Sequence, residues 1–202
     1  STIPFVLVVH PSVPAKTLPE FVAYAKSHPG KITFGSSGYD TQPHMLGEML
    51  KQAAGFNITP VPYRGAGPAM ADLIGGQVEL MFDNVQTALP QIEAGQVKVL
   101  GVTSAQRLPS LPAVPAIAET VPGYEALSFL ALMAPKGTPA PAIGRINALV
   151  TASFQTPEVK AKLTALGVEF AAGTPAELDG FIAGERDKWG ALIKQRGLKA
   201  DP

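Results

Sequence analysis

Lys31–Gly55 of this chain read KITFGSSGYDTQPHMLGEMLKQAAG. Lys31–Phe34 has the length and residue types of a short strand. Gly35–Thr41 is a polar turn rich in Gly and Ser. Met45, Leu46, Met49, Leu50 and Ala53 then recur at helical spacing, and Gly55 closes the helix. A strand that leaves through a small-residue turn into an amphipathic helix is one βα unit, and the unit repeats. Ile58–Val61 is a strand, Tyr63–Gly67 a loop, and Ala69–Ile74 a helix with Pro68 placed for its first position. Val78–Phe82 is a strand, Asp83-Asn84 a turn, and Thr87–Ala94 a helix. Val97–Val102 follows as a further strand. Upstream, Ser1–His10 (STIPFVLVVH) is an apolar β-branched run expected to be buried. Thr17-Leu-Pro-Glu20 has the form of a capping box, and His28 is placed as a cation at that helix's C-terminus. Short apolar strands alternating with helices predict an α/β fold with a parallel-rich sheet covered on both faces.

Downstream the pattern changes. Arg107–Tyr124 is Pro-rich around a short helix near Ile117, and Leu127–Ala134 (LSFLALMA) predicts one more strand. Three helices follow, opened by Thr138-Pro139, Thr156-Pro157 and Thr174-Pro175, each Thr placed as N-cap and each Pro as first helical residue. Leu178, Phe181, Ile182, Trp189, Leu192 and Ile193 share one face of the last helix and are expected to be buried. Val168–Phe170 is the only strand expected there. An opening directly in an apolar strand, and a helix-rich tail with so little sheet, lead us to expect further residues before Ser1.

Composition bounds the function. Of 202 residues, 46% are hydrophobic and 16% charged, so a core can form. Lys+Arg and Asp+Glu both number 16, which argues against a general nucleic-acid or anionic-membrane binder. No run of about 18 apolar residues spans a membrane. With no Cys, disulfides, Cys-zinc sites and thiol catalysis are excluded. His10, His28 and His44 are scattered, without ligand partners at metal spacing, and no metal or cofactor is expected. Neither G-x-x-x-x-G-K-[ST] nor G-x-G-x-x-G is present.

Chemistry concentrates in three loops, Gly35–Thr41, Tyr63–Gly67 and Asp83–Thr87. Each leaves the C-terminal end of a strand and enters a helix N-terminus, so a parallel sheet puts them on one edge. Small residues let a ligand reach the backbone, and free helix N–H groups favour an anion such as carboxylate or phosphate. The same residues are also common in ordinary βα turns. Arg64 is the one basic side chain there, either a carboxylate partner or a solvent-facing residue. Gly35-Ser-Ser37-Gly38 approaches a nucleophile elbow but has Tyr39 where the last Gly belongs, and His44 follows Ser37 too closely for the usual order. Trp189 lies on an apolar face and is expected in the core.

The series Phe5–Gly38 (FVLVVHPSVPAKTLPEFVAYAKSHPGKITFGSSG), Thr41–Glu48, Val61–Met70 (VPYRGAGPAM) and Gly75–Asn84 (GGQVELMFDN) resembles a Bug-type extracytoplasmic solute receptor of tripartite tricarboxylate transporters. Val102–Thr120, Met133–Pro141 and Gly197–Asp201 resemble it as well. The resemblance implies a periplasmic, two-lobed binding protein that closes over a small organic acid and passes it to the transporter's membrane components. By it, residues 1–126 form the second lobe with a crossing strand near its start. Residues 127–202 form the return strand and the C-terminal helical part of the first lobe. It assigns ligand binding, largely through backbone amides, hydroxyls and ordered water, to Ser36, Ser37, Gly38, Thr41, His44, Tyr63, Arg64, Gly65, Asp83 and Asn84. It implies no catalysis, and with the clamp of a first-lobe loop lacking here it also implies weak binding and self-association of the isolated chain. Two readings from other classes stand beside it, a serine esterase using Ser37 and an effector-binding domain of a transcription regulator.

Overall fold

Every residue of Phe5–Val9 is apolar because both faces of their strand are covered. In the computed structural model, which describes residues 1–165, 168 and 170–198, this strand is β1 (Thr2–Val9). Phe5, Leu7 and Val9 enter one buried cluster, and Val6 and Val8 enter another on the opposite face. The first cluster packs against α1 (Leu18–Ser27) and α2 (Gln42–Ala54) through Leu18, Phe21, Leu46 and Leu50. The second packs against α3 (Ala66–Ile74) and α4 (Val85–Glu93) through Ala69, Met70, Leu73 and Ala88. Helices thus cover both sides of a sheet, as the near-continuous apolar runs require.

The remaining strands are β2 (Thr33–Ser36), β3 (Thr59–Pro62), β4 (Leu80–Asn84), β5 (Lys98–Val102) and β6 (Leu127–Phe129). The sheet order is β3-β2-β4-β1-β5, with β6 paired to β1. β2 runs parallel to β3 and β4, whereas β1 is antiparallel to β4, β5 and β6. The parallel βα repeat is therefore as expected, with an antiparallel central strand inserted into it. The first half of β1 (Thr2–Pro4) pairs with β6, and the second half joins the main sheet.

Several boundaries move. β2 and β4 extend into the expected loops, to Ser36 and Asn84, because their ladders pair Ser36 with Pro62 and Asn84 with Phe5. α3 begins at Ala66, three residues before its expected start, so Pro68 stands third in the helix. The return strand ends at Phe129 rather than Ala134: Thr2 pairs with Phe129, Leu130 N–H donates to the Ser1 carbonyl, and pairing stops. Leu130, Leu132 and Met133 are consequently 64–68% exposed. The short helix near Ile117 is a 3-10 turn, Ile117–Glu119.

After β6 come α5 (Ala140–Phe154), α6 (Pro157–Ala165) and α7 (Pro175–Arg196). α6 begins at Pro157, directly after Thr156, as expected, and α7 opens with a Thr174 cap, but α5 does not open on Thr138. Thr174 and Glu177 form the capping box, whereas Pro139 itself caps α5, the Thr138 hydroxyl donates to Pro135 and that of Thr156 to Ser153. The α7 face is not a buried stripe. Leu192 alone is buried, and Phe181 and Ile193 are 37% and 42% exposed; Phe181 meets Phe129 of β6 edge-on and Trp189 packs against the first buried cluster. Glu169 lies outside the described residues, and its neighbours Val168 and Phe170 are in no strand.

Candidate functional site

β2, β3 and β4 are parallel, so their C-terminal ends meet on one edge of the sheet. The antiparallel β1 brings its N-terminal half, and with it β6, to that same edge. Three connections converge there. The first runs from Ser36 to the N-cap Thr41 of α2, the second from Tyr63 to the N-cap Gly65 of α3, and the third is the N-cap Asn84 of α4. Tyr63 N–H donates to the Ser36 carbonyl (2.9 Å), which stitches the first two together.

The first loop folds around the Gly38 carbonyl. It accepts from the Ser36 hydroxyl (3.1 Å) and the Thr41 hydroxyl (2.8 Å). Gly38 itself has φ +133, open to few residues but glycine, and a Cβ there would meet the Tyr63 carbonyl. Because Thr41 turns its hydroxyl to Gly38, it does not cap α2. Gly65 has no side chain with which to cap α3, and Asn84 makes no cap bond on α4. All three helix N-termini of this edge thus lack a side-chain cap, as does α5 behind Pro139, whereas Thr17 and Thr174 cap α1 and α7. Uncapped first-turn N–H groups carry partial positive charge and accept an anion.

Of the ten candidate residues, Ser36, His44 and Asp83 are buried, at 0%, 4% and 4% exposure. Ser37, Gly38, Thr41, Tyr63, Gly65 and Asn84 are half-buried at the edge, and Arg64 is exposed. His44 Nδ1 accepts from the Asp40 N–H (3.3 Å), and its ring stacks on Phe34 and meets the edge of Tyr39. Burial lowers its pKa from the ordinary value near 6.5, against Glu48 and Asp40, which raise it, while Lys51 adds to the lowering. Burial likewise raises the Asp83 carboxyl, against the Thr87 hydroxyl and the Asn84 N–H, which lower it; the latter donates to Oδ1 at 2.9 Å. Tyr63 donates its hydroxyl to Asp72 (2.8 Å), and burial together with that carboxylate pushes its pKa up to about 12. No hydrogen bond among the described residues joins Ser37 to His44 or Asp83.

Sequence spacing missed four participants. Gln42 ties α2 to β6 by donating to the Leu127 carbonyl (2.8 Å). Asp72 anchors Tyr63 from the far end of α3. Gln86 Oε1, like Asn84 Oδ1, is a buried acceptor with no partner among the described residues. Trp189 is half-buried, packs against the first core cluster as expected, and also lines a cavity of about 470 Å³ with Asp40, Gln42, Met45, Phe129 and Ile193. That cavity flanks the first loop and shares only Asp40 with it, so the polar edge and this mostly apolar hollow are adjacent but separate. Among the described residues no His/Asp/Glu group could hold a metal ion, and no helix is long and apolar enough to cross a membrane.

A two-faced α/β sheet whose strand β1 is shared between the main sheet and β6 is the fold of solved periplasmic binding proteins. Within it, residues 1–198 match the family model described as the tripartite tricarboxylate transporter family receptor, and the chain belongs to that family. It is 37% identical, over its whole length and 60% of the relative's, to the UPF0065 protein of the tcbD-tcbE intergenic region of Pseudomonas sp. (strain P51). Among solved structures, Rpa4515 of R. palustris with adipate matches at TM-score 0.89 and 34% identity, over 98% of this chain and 67% of the other. Periplasmic binding protein BugD matches at 0.84 and 31%, over 99% and 68%. The chain thus spans about 60% of the length of the curated relative and about two thirds of these solved chains.

Proposed function

We propose that this chain is part of a periplasmic receptor that captures a small carboxylate or dicarboxylate for the membrane components of a tripartite tricarboxylate-type transporter. The observation that carries the reading is the convergence of three helix N-termini without side-chain caps on one sheet edge, stitched by the Tyr63–Ser36 bond. Such an edge holds a carboxylate by neutral donors, with Arg64 at its rim. Ser37, Gly38, Thr41, Tyr63, Gly65 and Asn84 are the proposed contacts, and Ser36, His44 and Asp83 support them from beneath. The unpartnered acceptors of Asn84 and Gln86 suit a ligand held partly through ordered water. Adipate in a family relative gives the ligand class.

Residues 1–126 are proposed as the second lobe and 127–202 as the return strand and C-terminal part of the first. The distribution of buried apolar residues supports the division: they run from Ile3 to Ala126, and of the described residues beyond, only Leu192 joins them. Catalysis at Ser37 is not part of this function, and neither is nucleic-acid binding.

The test is a titration of the isotopically labelled chain with millimolar adipate. The amides of Gly38, Gly65 and Asn84 are expected to shift together and saturably, and Arg64→Ala to weaken the response without abolishing it. Shifts confined to other regions, or none, would refute the assignment. Covalent labelling of Ser37 by a fluorophosphonate, lost in Ser37→Ala, would replace it with the esterase reading.

A further inference from the structure

The structure assigns His44 to positioning rather than contact: through Nδ1 its neutral ring holds the Asp40 amide, and so fixes the turn that presents the first loop. The assignment rests on the receptor reading for what that loop presents itself to, but its geometry is independent of it. Asp40 has φ +62 and is the only non-glycine residue at positive φ among those described. That conformation is less favourable for a residue with a Cβ than for glycine, although aspartate adopts it more readily than most, and contacts around the turn help to hold it. One such contact is Asp40 N–H to His44 Nδ1 at 3.3 Å. The next residue, Thr41, closes the same turn on Gly38.

A backbone N–H can only donate, so Nδ1 must present its lone pair, and the ring proton sits on Nε2. The ring cannot swing away, because Phe34 of β2 stacks on it (centroids 6.1 Å) and Tyr39 of the loop abuts it at 5.4 Å. Protonation of Nδ1 sets two N–H groups against each other and breaks the bond to the Asp40 amide. Among the described residues, the charged groups acting on the ring are Glu48 and Lys51 from α2 and Asp40 from the loop. Glu48 and Lys51 pair with each other at 2.7 Å, which blunts the influence of both.

The sign of the pH effect separates the two roles. A histidine that touched the carboxylate would bind it more tightly once protonated. A histidine that holds the loop by a lone pair binds it less tightly. The experiment follows the 202-residue chain by NMR, reading the His44 ring nitrogens and Asp40 amide exchange across the acid range. Adipate is the probe ligand. We expect the Nε2–H form at neutral pH and loss of Asp40 protection as His44 protonates. Adipate affinity relative to His44→Asn at the same pH should fall by about 2- to 10-fold, the worth of one hydrogen bond. His44→Asn places an amide oxygen near Nδ1, so Asp40 protection should persist at every pH. In His44→Leu it should be low throughout. An Nδ1–H form at neutral pH, Asp40 protection indifferent to pH, or adipate affinity that rises on acidification in wild type but not in His44→Asn, overturns the assignment. A chain with the expected tautomer and Asp40 response that nowhere binds adipate refutes the receptor reading and upholds the role of His44 in the loop.

Discussion

Gly47 lies where α2 crosses the ring of Phe34, and a Cβ built there would stand 2.3 Å from the ring's Cε2. Two effects of Gly47→Ala oppose each other. Alanine favours the helix by about 1 kcal/mol, whereas overpacking a fixed aromatic ring costs about 1–3 kcal/mol. The ring is fully buried and cannot yield, so the variant should be less stable, with a lower urea midpoint. Asp83 behaves in the opposite way. Its burial raises the carboxyl's pKa, so from the ordinary value of 3.8 upward the folded state retains a proton that the unfolded chain gives up. The native state therefore loses stability as pH rises through that window, and keeps the penalty at pH 7. Asp83→Asn retains an oxygen for the Asn84 N–H without the buried charge. It should raise the urea midpoint at pH 7 and have less effect at pH 4; equal effects at both would show that charge is not the cause. Neither position stands out in the sequence. Gly47 has the ordinary spacing of a helical small residue, and Asp83 reads as a turn residue until β1 pairs alongside and buries it.

At the scale of elements, two Thr-Pro-like helix openings have different jobs. Thr174 caps α7, its hydroxyl accepting from Glu177 N–H while Glu177 accepts from Thr174 N–H and Oγ1. Thr41 precedes Gln42-Pro43 and gives its hydroxyl to Gly38. Thr174→Ala should therefore destabilise its helix by about 0.5–2 kcal/mol, seen as faster amide exchange in the first turn of α7. Thr41→Ala should leave α2 exchange unchanged and weaken adipate binding instead. If both variants perturb only their helices, the first loop has been misassigned. The capping box at Thr17 shows the limit of pattern alone. Thr17 does accept from Glu20 N–H, but Glu20 reaches Lys16 N–H at 2.7 Å, one residue beyond the expected partner. His28, expected as a helix-terminal cation, is the C-cap of α1, its ring nitrogen bonded to the Tyr24 carbonyl.

For the whole molecule, exposed apolar surface sets the behaviour. Leu130, Leu132, Met133, Ile146 and Leu149 are 44–68% exposed, and α5 has no buried residue. At ~25 cal/mol per Å², covering 400 Å² of such surface is worth about 10 kcal/mol, as much as a typical domain's net stability. The chain is expected to self-associate, and light scattering should report a mass above 21.0 kDa. A monomer at micromolar concentration that does not bind an apolar dye would count against this. Global stability should also depend on pH through His44. Its folded pKa is depressed, so the unfolded chain takes up the proton first as pH falls below 6.5, and stability declines from there until the folded ring is protonated too. His44→Asn should flatten that part of the profile.

The residue string by itself determined the βα repeat, because the switch between strand and helical periodicity needs only neighbours a few positions away. It likewise placed Ser37, Gly38, Thr41, Tyr63, Gly65 and Asn84 on one edge, since each follows a strand and precedes a helix. What it could not contain is the direction of β1. An apolar run buried on both faces looks the same parallel or antiparallel, and pairing with β4 and β5 settles it only when the chain has folded. The same long-range pairing carried β2 and β4 into their loops and ended β6 at Phe129. It also separated the hydroxyls that build the first loop from the helix ends that face outward. Ser36, His44 and Asp83 are polar in the sequence and buried in the fold, because hydrogen bonds to Gly38, Asp40 and Asn84 compensate them locally. Polarity is a property of the residue, whereas burial depends on which distant segments come to cover it.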